Sequence, residues 1–152
     1  AGMALYGLYP SEHVDKNKIK LSPVMSLKVK IAQVKKITKN TKVGYGCKFT
    51  AKKDLKVATL PIGYADGFSR MLKNGKVLIN GCEAPVIGVI CMDQCIINVD
   101  KIPDVKAGDD AVIIGSQGDK TIHVEDIAKE LGTINYEIIT MISSTIPRVY
   151  IK

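Results

Sequence analysis

The sequence contains no tryptophan, only two phenylalanines, and only two arginines among its 22 basic residues, namely Arg70 and Arg148. Proteins that bind single-stranded nucleic acids usually stack the bases on exposed aromatic side chains. Arginine is also the side chain that contacts phosphate and guanine through two parallel hydrogen bonds. The net charge of +7 is therefore interpreted as a lysine-rich surface in contact with water. A basic β-barrel that binds nucleic acid remains the alternative from a different functional class.

Long apolar runs and targeting signals are also missing. No apolar stretch approaches the roughly 18 residues that a membrane-spanning helix requires. The first residues, AGMALYG, have neither the basic start nor the long apolar core of a signal peptide. With 46% hydrophobic and 24% charged residues, the composition is typical of a soluble globular domain. We expect a cytoplasmic protein without a membrane span.

The four cysteines do not form a metal-binding pattern. Cys91 and Cys95 lie in an apolar segment without a second cysteine pair or a histidine cluster nearby, so no metal site is expected. A chain of 152 residues does not need disulfides to be stable, and reduced thiols are predicted. The sequence also lacks a phosphate-binding loop, a dinucleotide-binding fingerprint and a Ser-His-Asp order.

Short strand-like segments dominate the chain. Residues 24–37 alternate apolar and lysine side chains, which predicts a half-buried strand. Turn signals separate further predicted strands at 43–50, 57–62, 76–79, 84–90, 92–99 and 111–115. An amphipathic helix is predicted at Val124–Leu131, and residues 135–142 suit either a helix or a strand. This pattern predicts a mainly β fold, a small closed Greek-key-like β-barrel with one or two short helices near the C-terminus.

Four segments contain residues that an ordinary strand or turn does not require. Gly44-Tyr45-Gly46 places two glycines inside a predicted strand, where glycine marks a bulge or the close approach of a ligand. The other three are the glycine-rich loop 61–70, Asp93-Gln94 beside an apolar run, and residues 133–137 after the helix. Each also has a purely structural interpretation, such as a bulge, a turn or a helix cap in which Thr133 begins a second helix.

In their order along the chain and in their amino-acid sequences, these segments resemble the alanine racemase family of fold-type III pyridoxal phosphate enzymes. The matching stretches are ALYGLYPS at 4–11, GYG at 44–46, ATLPIGYADG at 58–67, ICMDQ at 90–94, TINYE at 133–137 and IPR at 146–148. The resemblance covers essentially the whole chain. It implies that residues 1–10 are the last strand of an otherwise absent cofactor-binding (β/α)8 barrel. Residues 11–23 would then be a linker, and residues 24–152 the C-terminal β-barrel domain.

The resemblance also implies roles for single residues. Tyr45 matches the catalytic tyrosine that transfers a proton at one face of the substrate's Cα, while a lysine of the absent domain acts at the other face. The remaining implied positions are Met92, Asp93 and Tyr64 for substrate binding, Gly2, Met3 and Tyr136 for the phosphate of pyridoxal 5'-phosphate, and Arg70 and Ile134 at the substrate entrance. The lysine that anchors the cofactor in this family is not in the sequence.

The implied function is that of a homodimeric isomerase that interconverts L- and D-alanine and so supplies D-alanine for peptidoglycan. The catalytic tyrosine would reach the active site of the partner subunit. A serine racemase of the same family is the nearest alternative, but such enzymes tend to have a smaller residue in place of the tyrosine at position 136. Val89 and Thr145 depart from the family, which usually has arginine at both positions. We expect this chain alone to be inactive and to bind pyridoxal phosphate weakly.

Overall fold

The structure is a computed structural model that describes residues 2–11 and 13–151. The outer ends of the predicted domains, residues 1 and 152, lie outside the described residues. The strands are β1 (Leu27–Lys30), β2 (Gln33–Ile37), β3 (Lys42–Val43), β4 (Phe49–Thr50), β5 (Leu55–Leu60), β6 (Lys76–Ile79), β7 (Cys82–Ile87), β8 (Cys95–Asn98), β9 (Asp110–Gln117) and β10 (Lys120–Ile122), and the helices are α1 (Val124–Leu131) and α2 (Asn135–Met141). Among the described residues, every helix is too short or too polar to cross a membrane.

The main sheet is antiparallel and follows the order β1-β9-β6-β7-β8-β5-β2, with β10 paired to β9. Its two ends, β1 and β2, are consecutive in sequence and meet at a corner. There Ile31 N–H donates to Asp109 O (2.9 Å) and Ala32 N–H donates to Thr59 O (3.0 Å). The single strand predicted at 24–37 is therefore two strands. No ladder joins β1 to β2 among the described strands, so the predicted closed barrel is not confirmed, whereas the mainly β fold with two late helices is.

Apolar side chains from the sheet and both helices form one main core. Its members include Leu60, Ile79, Ile97, Ile113 and Ile138. Met3 and Leu8 of the N-terminal segment belong to the same cluster, so this segment is packed against the domain. A second, smaller cluster lies near the β3–β4 pair and contains Val43, Ala51, Leu55, Val57 and Ile87. The β3–β4 pair therefore has apolar support of its own.

Both predicted helices are present. Helix α1 has the predicted bounds, and Gly132 ends it with a φ of 70°. Residues 135–141 are helical, so the helical interpretation of that segment is confirmed. The predicted role of Thr133 as N-cap is wrong, because Ile134 holds that position. Thr133 N–H instead bonds to Ala128 O (2.9 Å) and so completes the end of α1.

The N-terminal segment differs from the predicted strand. Residues Gly2–Tyr6 form a 3-10 helix, and Gly7 N–H bonds to Ala4 O (3.0 Å). A strand needs a neighbouring strand to satisfy its backbone groups. Here the backbone forms local hydrogen bonds instead. That residues 1–10 belong to a (β/α)8 barrel in a longer protein stays a prediction.

Candidate functional site

Tyr45 lies in a turn between β3 and β4, so the strand predicted at 43–50 is wrong. Gly44, Gly46 and Cys47 have φ values of 73°, 67° and 50°, and these are incompatible with a strand. The chain makes a single 3-10 turn at Tyr45–Cys47. The Tyr45 side chain is 69% exposed. In an ordinary strand, Tyr45 would lie between neighbours whose side chains point to the opposite face of the sheet. In this turn, its side chain is exposed to solvent.

Residues 88–94 connect β7 to β8 and pass beside the Tyr45 turn. A Cβ atom on Gly44 would lie 3.1 Å from Val89 N, and one on Gly88 would lie 2.9 Å from Val43 O. The two backbones are thus in contact. Cys91 N–H bonds to Gln94 O (2.9 Å) and closes the Met92 turn, residues 91–94, in which Met92 and Asp93 are exposed. Consequently β7 ends at Ile87 and β8 begins at Cys95, rather than at 90 and 92 as predicted.

The Tyr64 segment, residues 63–67, packs against the Met92 turn. Tyr64 N–H bonds to Cys91 O (3.0 Å), and Ala65 N–H bonds to Met92 O (2.9 Å). The approach is so close that a Cβ on Gly63 would lie 2.3 Å from Cys91 O. Tyr64 is 44% exposed and Met92 is 55% exposed. The segments that carry Tyr45, Met92 and Tyr64 are therefore consecutive neighbours, linked through residues 88–94.

The fourth predicted segment lies at the start of α2, where Tyr136 and Ile134 are both exposed. Asn135 is buried and donates from Nδ2 to Tyr9 O (2.8 Å). The start of α2 is thus fixed to the N-terminal segment that contains Gly2 and Met3. The other end of α2 meets the Tyr64 segment, because Ser143 N–H bonds to Asp66 O (3.2 Å). Tyr136 and Tyr64 are therefore associated with opposite ends of the same short helix.

Three further predicted positions are Arg70, Gly2 and Met3. Arg70 is exposed and follows Phe68, a residue of the main core. Gly2 is exposed, whereas the side chain of Met3 is buried. The resemblance assigns the phosphate contact of Met3 to its backbone amide, and a buried side chain does not prevent that contact. The structure thus makes neighbours of the backbone segments that contain Tyr45, Tyr64, Met92 and Asp93, and it links the start of α2, which contains Tyr136, to the N-terminal segment.

Sequence reasoning missed the role of Asp66. Its carboxylate Oδ2 accepts a hydrogen bond from Gly63 N–H (2.9 Å). An acidic residue three positions after the start of a turn is a common capping arrangement, so the spacing of Gly63 and Asp66 was a usable signal. Arg148 was known only as part of a matching stretch. Its guanidinium donates to Ser143 O (2.8 Å) and Ile146 O (2.6 Å), which secures the chain after α2.

Cys95 is the residue beside the Met92 turn whose ionisation is clearly perturbed. Burial, and secondarily electrostatic repulsion from the nearby Cys91 side chain, raise the pKa of Cys95 to about 12. Only the thiolate form of cysteine is an effective nucleophile. Cys95 is therefore protonated and unreactive near neutral pH, and its role is to pack in the core.

Comparisons with known proteins agree with the matching stretches. The sequence model of the family described as Alanine racemase, C-terminal domain, matches residues 24–150. The chain is 54% identical over 150 residues to an alanine racemase of Methanococcus maripaludis and 53% identical over 152 residues to alanine racemase 1 of Clostridium acetobutylicum. These alignments cover 99% of this chain but only 40% and 39% of the two relatives. The chain thus spans about two fifths of the length of the curated relatives it matches.

Solved structures give the same result. An alanine racemase from Bacillus anthracis with bound L-Ala-P is 40% identical and superposes with a TM-score of 0.93, over 99% of this chain and 39% of that one. An alanine racemase from Clostridium difficile 630 is 47% identical, with a TM-score of 0.91 over 97% of this chain and 38% of that one. The family match extends over most of the described residues. This chain belongs to the alanine racemase C-terminal domain family.

Proposed function

We propose that this chain is the part of a pyridoxal-phosphate-dependent alanine racemase that supplies the catalytic tyrosine and the residues of the substrate entrance. The observation that carries the proposal is the contact of the Tyr45, Met92 and Tyr64 segments through residues 88–94. These segments are far apart in sequence. A shared catalytic role requires that the fold gather them with exposed side chains, and this arrangement meets that requirement.

Tyr45 is the proton-transferring group that this chain contributes. Racemisation needs two such groups, one on each face of the substrate's Cα. The phenolic Oη of Tyr45 gives or takes the proton at one face, and a lysine from the rest of the full-length protein acts at the other. Pyridoxal phosphate, when bound, supplies the electron sink that makes this proton removable. A 69% exposed side chain in a turn suits a group that must extend into a site formed mostly by another domain.

Met92 is proposed to receive the substrate carboxylate with its backbone N–H, with Asp93 as its neighbour. The carbonyls of Cys91 and Met92 are already bonded to the Tyr64 segment, which fixes the turn that would present this N–H. Tyr64 and Tyr136 would narrow the entrance, and Arg70 and Ile134 would lie farther out. Because Val89 replaces the arginine that the family usually has, this entrance would contain one cation fewer.

The residues assigned to the cofactor phosphate fit that group. Gly2 is exposed, and no described heavy atom lies within 4 Å of the position that its Cβ would occupy. Its backbone is therefore accessible to a bulky anion. The phenol of Tyr136 can donate a hydrogen bond to a phosphate oxygen, and it sits on the helix that Asn135 ties to the N-terminal segment. Gly2 and Met3 would hold the phosphate through their backbone N–H groups, and Tyr136 through its hydroxyl.

For the full-length enzyme, we infer a cytoplasmic homodimer in which Tyr45 serves the active site of the partner subunit. The product would be D-alanine for peptidoglycan. The tyrosine at position 136 supports alanine rather than serine as the substrate, because its large side chain would narrow the entrance.

The test uses the full-length enzyme with the substitution Tyr45→Phe, which removes only the phenolic oxygen. Racemisation should fall by roughly 10²–10⁴-fold in at least one direction, with the absorbance of bound pyridoxal phosphate unchanged. Rates from L- to D-alanine and from D- to L-alanine are measured separately. Tyr150→Phe is the matched control, because Tyr150 is 93% exposed near the C-terminus. Near-normal rates of Tyr45→Phe in both directions would rule out Tyr45 as a proton-transfer group.

A further inference from the structure

The Tyr64 segment joins two parts of the candidate site. On one side, the N–H groups of Tyr64 and Ala65 bond to the Met92 turn at 3.0 and 2.9 Å. On the other side, Asp66 O accepts the N–H of Ser143 at 3.2 Å. Gly67 also approaches the end of α2 so closely that a Cβ there would lie 2.5 Å from Met141 O. Any change in the shape of this segment is therefore transmitted to both neighbours.

We propose that Asp66 is a positioning residue that sets the substrate entrance by fixing the shape of the Tyr64 segment. This inference rests on the proposed racemase function. The Asp66 carboxylate accepts Gly63 N–H at 2.9 Å, and Asp66 N–H returns a bond to Gly63 O at 3.1 Å. Phe68 N–H bonds to the same carbonyl at 3.0 Å, and its ring is buried in the main core. The segment is thus closed at its start and anchored at its end.

The start of the Tyr64 segment is tightly packed. Gly63 is buried, and a side chain on it would collide with Cys91 O. Without the Asp66 carboxylate, Gly63 N–H would be a buried donor without its present acceptor. Such groups are costly, and the chain rearranges to satisfy them. The rearrangement available here is an opening of the turn, which displaces Tyr64 from the Met92 turn.

The consequence concerns the wall of the proposed entrance that Tyr64 supplies. Tyr64 lies inside the segment and, like Tyr45, would serve the active site of the partner subunit, whereas Tyr136 would serve the site of its own subunit. The Asp66 carboxylate therefore governs the position of a tyrosine that would decide which side chains can pass. Asp66 itself does not need to touch the substrate. Its loss should alter substrate affinity and selectivity more than the chemical step.

The experiment compares three variants of the full-length enzyme. Asp66→Ala removes the acceptor, and Asp66→Asn keeps an oxygen that can accept the same hydrogen bond. Asp126→Ala is the matched control, because the Asp126 carboxylate accepts His123 N–H (3.4 Å) in the same three-residue arrangement at the start of α1, outside the Tyr64 segment. For Asp66→Ala we expect the KM for alanine to rise about tenfold, with a smaller change in kcat. The ratio of kcat/KM for serine to that for alanine should rise about threefold or more.

The remaining variants separate positioning from general destabilisation. Asp66→Asn should restore the KM and the serine-to-alanine ratio to within about twofold of the wild type. Asp126→Ala should lower the melting temperature without changing either quantity. If Asp66→Ala loses only thermal stability and keeps the wild-type KM and substrate ratio, the proposal is overturned.

Amide hydrogen exchange tests the role of Asp66 independently of racemase activity. A wild-type enzyme that does not racemise alanine would refute the proposed function, and the exchange rates would then decide the role of Asp66. Faster amide exchange at residues 63–67 and at Ser143 in Asp66→Ala than in Asp126→Ala supports the role of the carboxylate in holding both neighbours. Equal exchange rates in the two variants would overturn it.

Discussion

Gly67 and Gly132 show that two glycines with similar backbones can have different functions. Both lie in the left-handed region, with φ values of 100° and 70°. A Cβ on Gly67 would lie 2.5 Å from Met141 O, whereas no described heavy atom lies within 4 Å of the corresponding position on Gly132. Gly132 is thus required for its backbone angle alone. Gly67 is required for the angle and also for the contact between the Tyr64 segment and α2.

Replacing each glycine with alanine measures this difference. Gly132→Ala should lower the free energy of unfolding by about 1 kcal/mol, the usual cost of a left-handed alanine. Gly67→Ala should cost about 2–4 kcal/mol, because the methyl group adds overpacking to the backbone strain. Both variants are measured by urea unfolding, with a check that the m-value is unchanged. Equal losses in the two variants would contradict the close contact at Gly67.

At the scale of elements, the sequence was most informative where side-chain pattern alone determines structure. Helix α1 has both predicted ends, because its apolar face and Gly132 are local signals. Strand β6 has the predicted bounds between two Asn-Gly turns. The predictions failed where backbones touch, as at Gly44 with Val89 and at Gly88 with Val43. The alternation of apolar and polar residues contains no information on such contacts. The predicted strands therefore ran through the turns that form the candidate site.

The candidate site was predicted only in part for the same reason. Its unusual residue types were visible in sequence, but the roles assigned to Tyr45 and Met92 came from the family resemblance. The contacts that link the segments are mostly between backbone atoms, which every residue possesses. Asp66 was overlooked because its carboxylate bonds to a backbone amide three residues away rather than to another distinctive side chain.

Asn135 is predicted to hold the N-terminal segment against the domain. It is buried, and its Nδ2 atom donates to Tyr9 O (2.8 Å). Asn135→Ala should lower the free energy of unfolding by about 1–3 kcal/mol, because the partly buried carbonyl of Tyr9 loses its donor. Amide exchange across residues 2–10 should also become faster. Thr140→Ala is the control on the exposed side of the same helix. Unchanged exchange in residues 2–10 of Asn135→Ala would show that other contacts hold this segment.

At the scale of the whole molecule, positive charge is concentrated in one part of the chain. Residues 28–56 contain ten lysines and one acidic residue, Asp54, while the whole chain has a net charge of +7. The remainder therefore has a slight excess of acidic residues. Within this region Lys36 on β2 lies directly opposite Lys56 on β5. Like charges at directly opposed positions of a sheet repel each other.

Removing one of these lysines should stabilise the protein. Lys36→Thr is expected to raise the free energy of unfolding by about 0.2–1 kcal/mol at low salt, because it removes the repulsion and introduces a β-branched residue. Lys35→Thr is the matched control, since Lys35 lies opposite the uncharged Val57. The difference between the variants should shrink in about 1 M salt, where surface charges are screened. A difference that does not depend on salt would exclude repulsion as its cause.

The chain by itself should be inactive and should bind pyridoxal phosphate weakly. The lysine that anchors the cofactor is expected in the part of the full-length protein that this chain lacks, so the ordering cost of binding would be poorly offset. Purified chain is mixed with pyridoxal phosphate and reduced with borohydride, and the adducts are mapped while L- to D-alanine conversion is assayed. Scattered, substoichiometric lysine adducts without turnover are expected. A single stoichiometric adduct with turnover would contradict the proposed division of the active site.

The corner at Ile31 and Ala32 also has a consequence for the order of folding. The first strand in the chain, β1, finds its partner in β9, where Leu27 pairs with Ile114 and Lys30 with Asp110. Pairing across such a long sequence separation is slow, because closing the intervening loop costs conformational entropy. During synthesis on a ribosome, β2 can pair as soon as β5 emerges, but β1 must wait until β9 emerges, after β5, β6, β7 and β8. Until then, β1 is a nascent edge strand, and its alternating lysines, Lys28 and Lys30, discourage it from pairing with another chain.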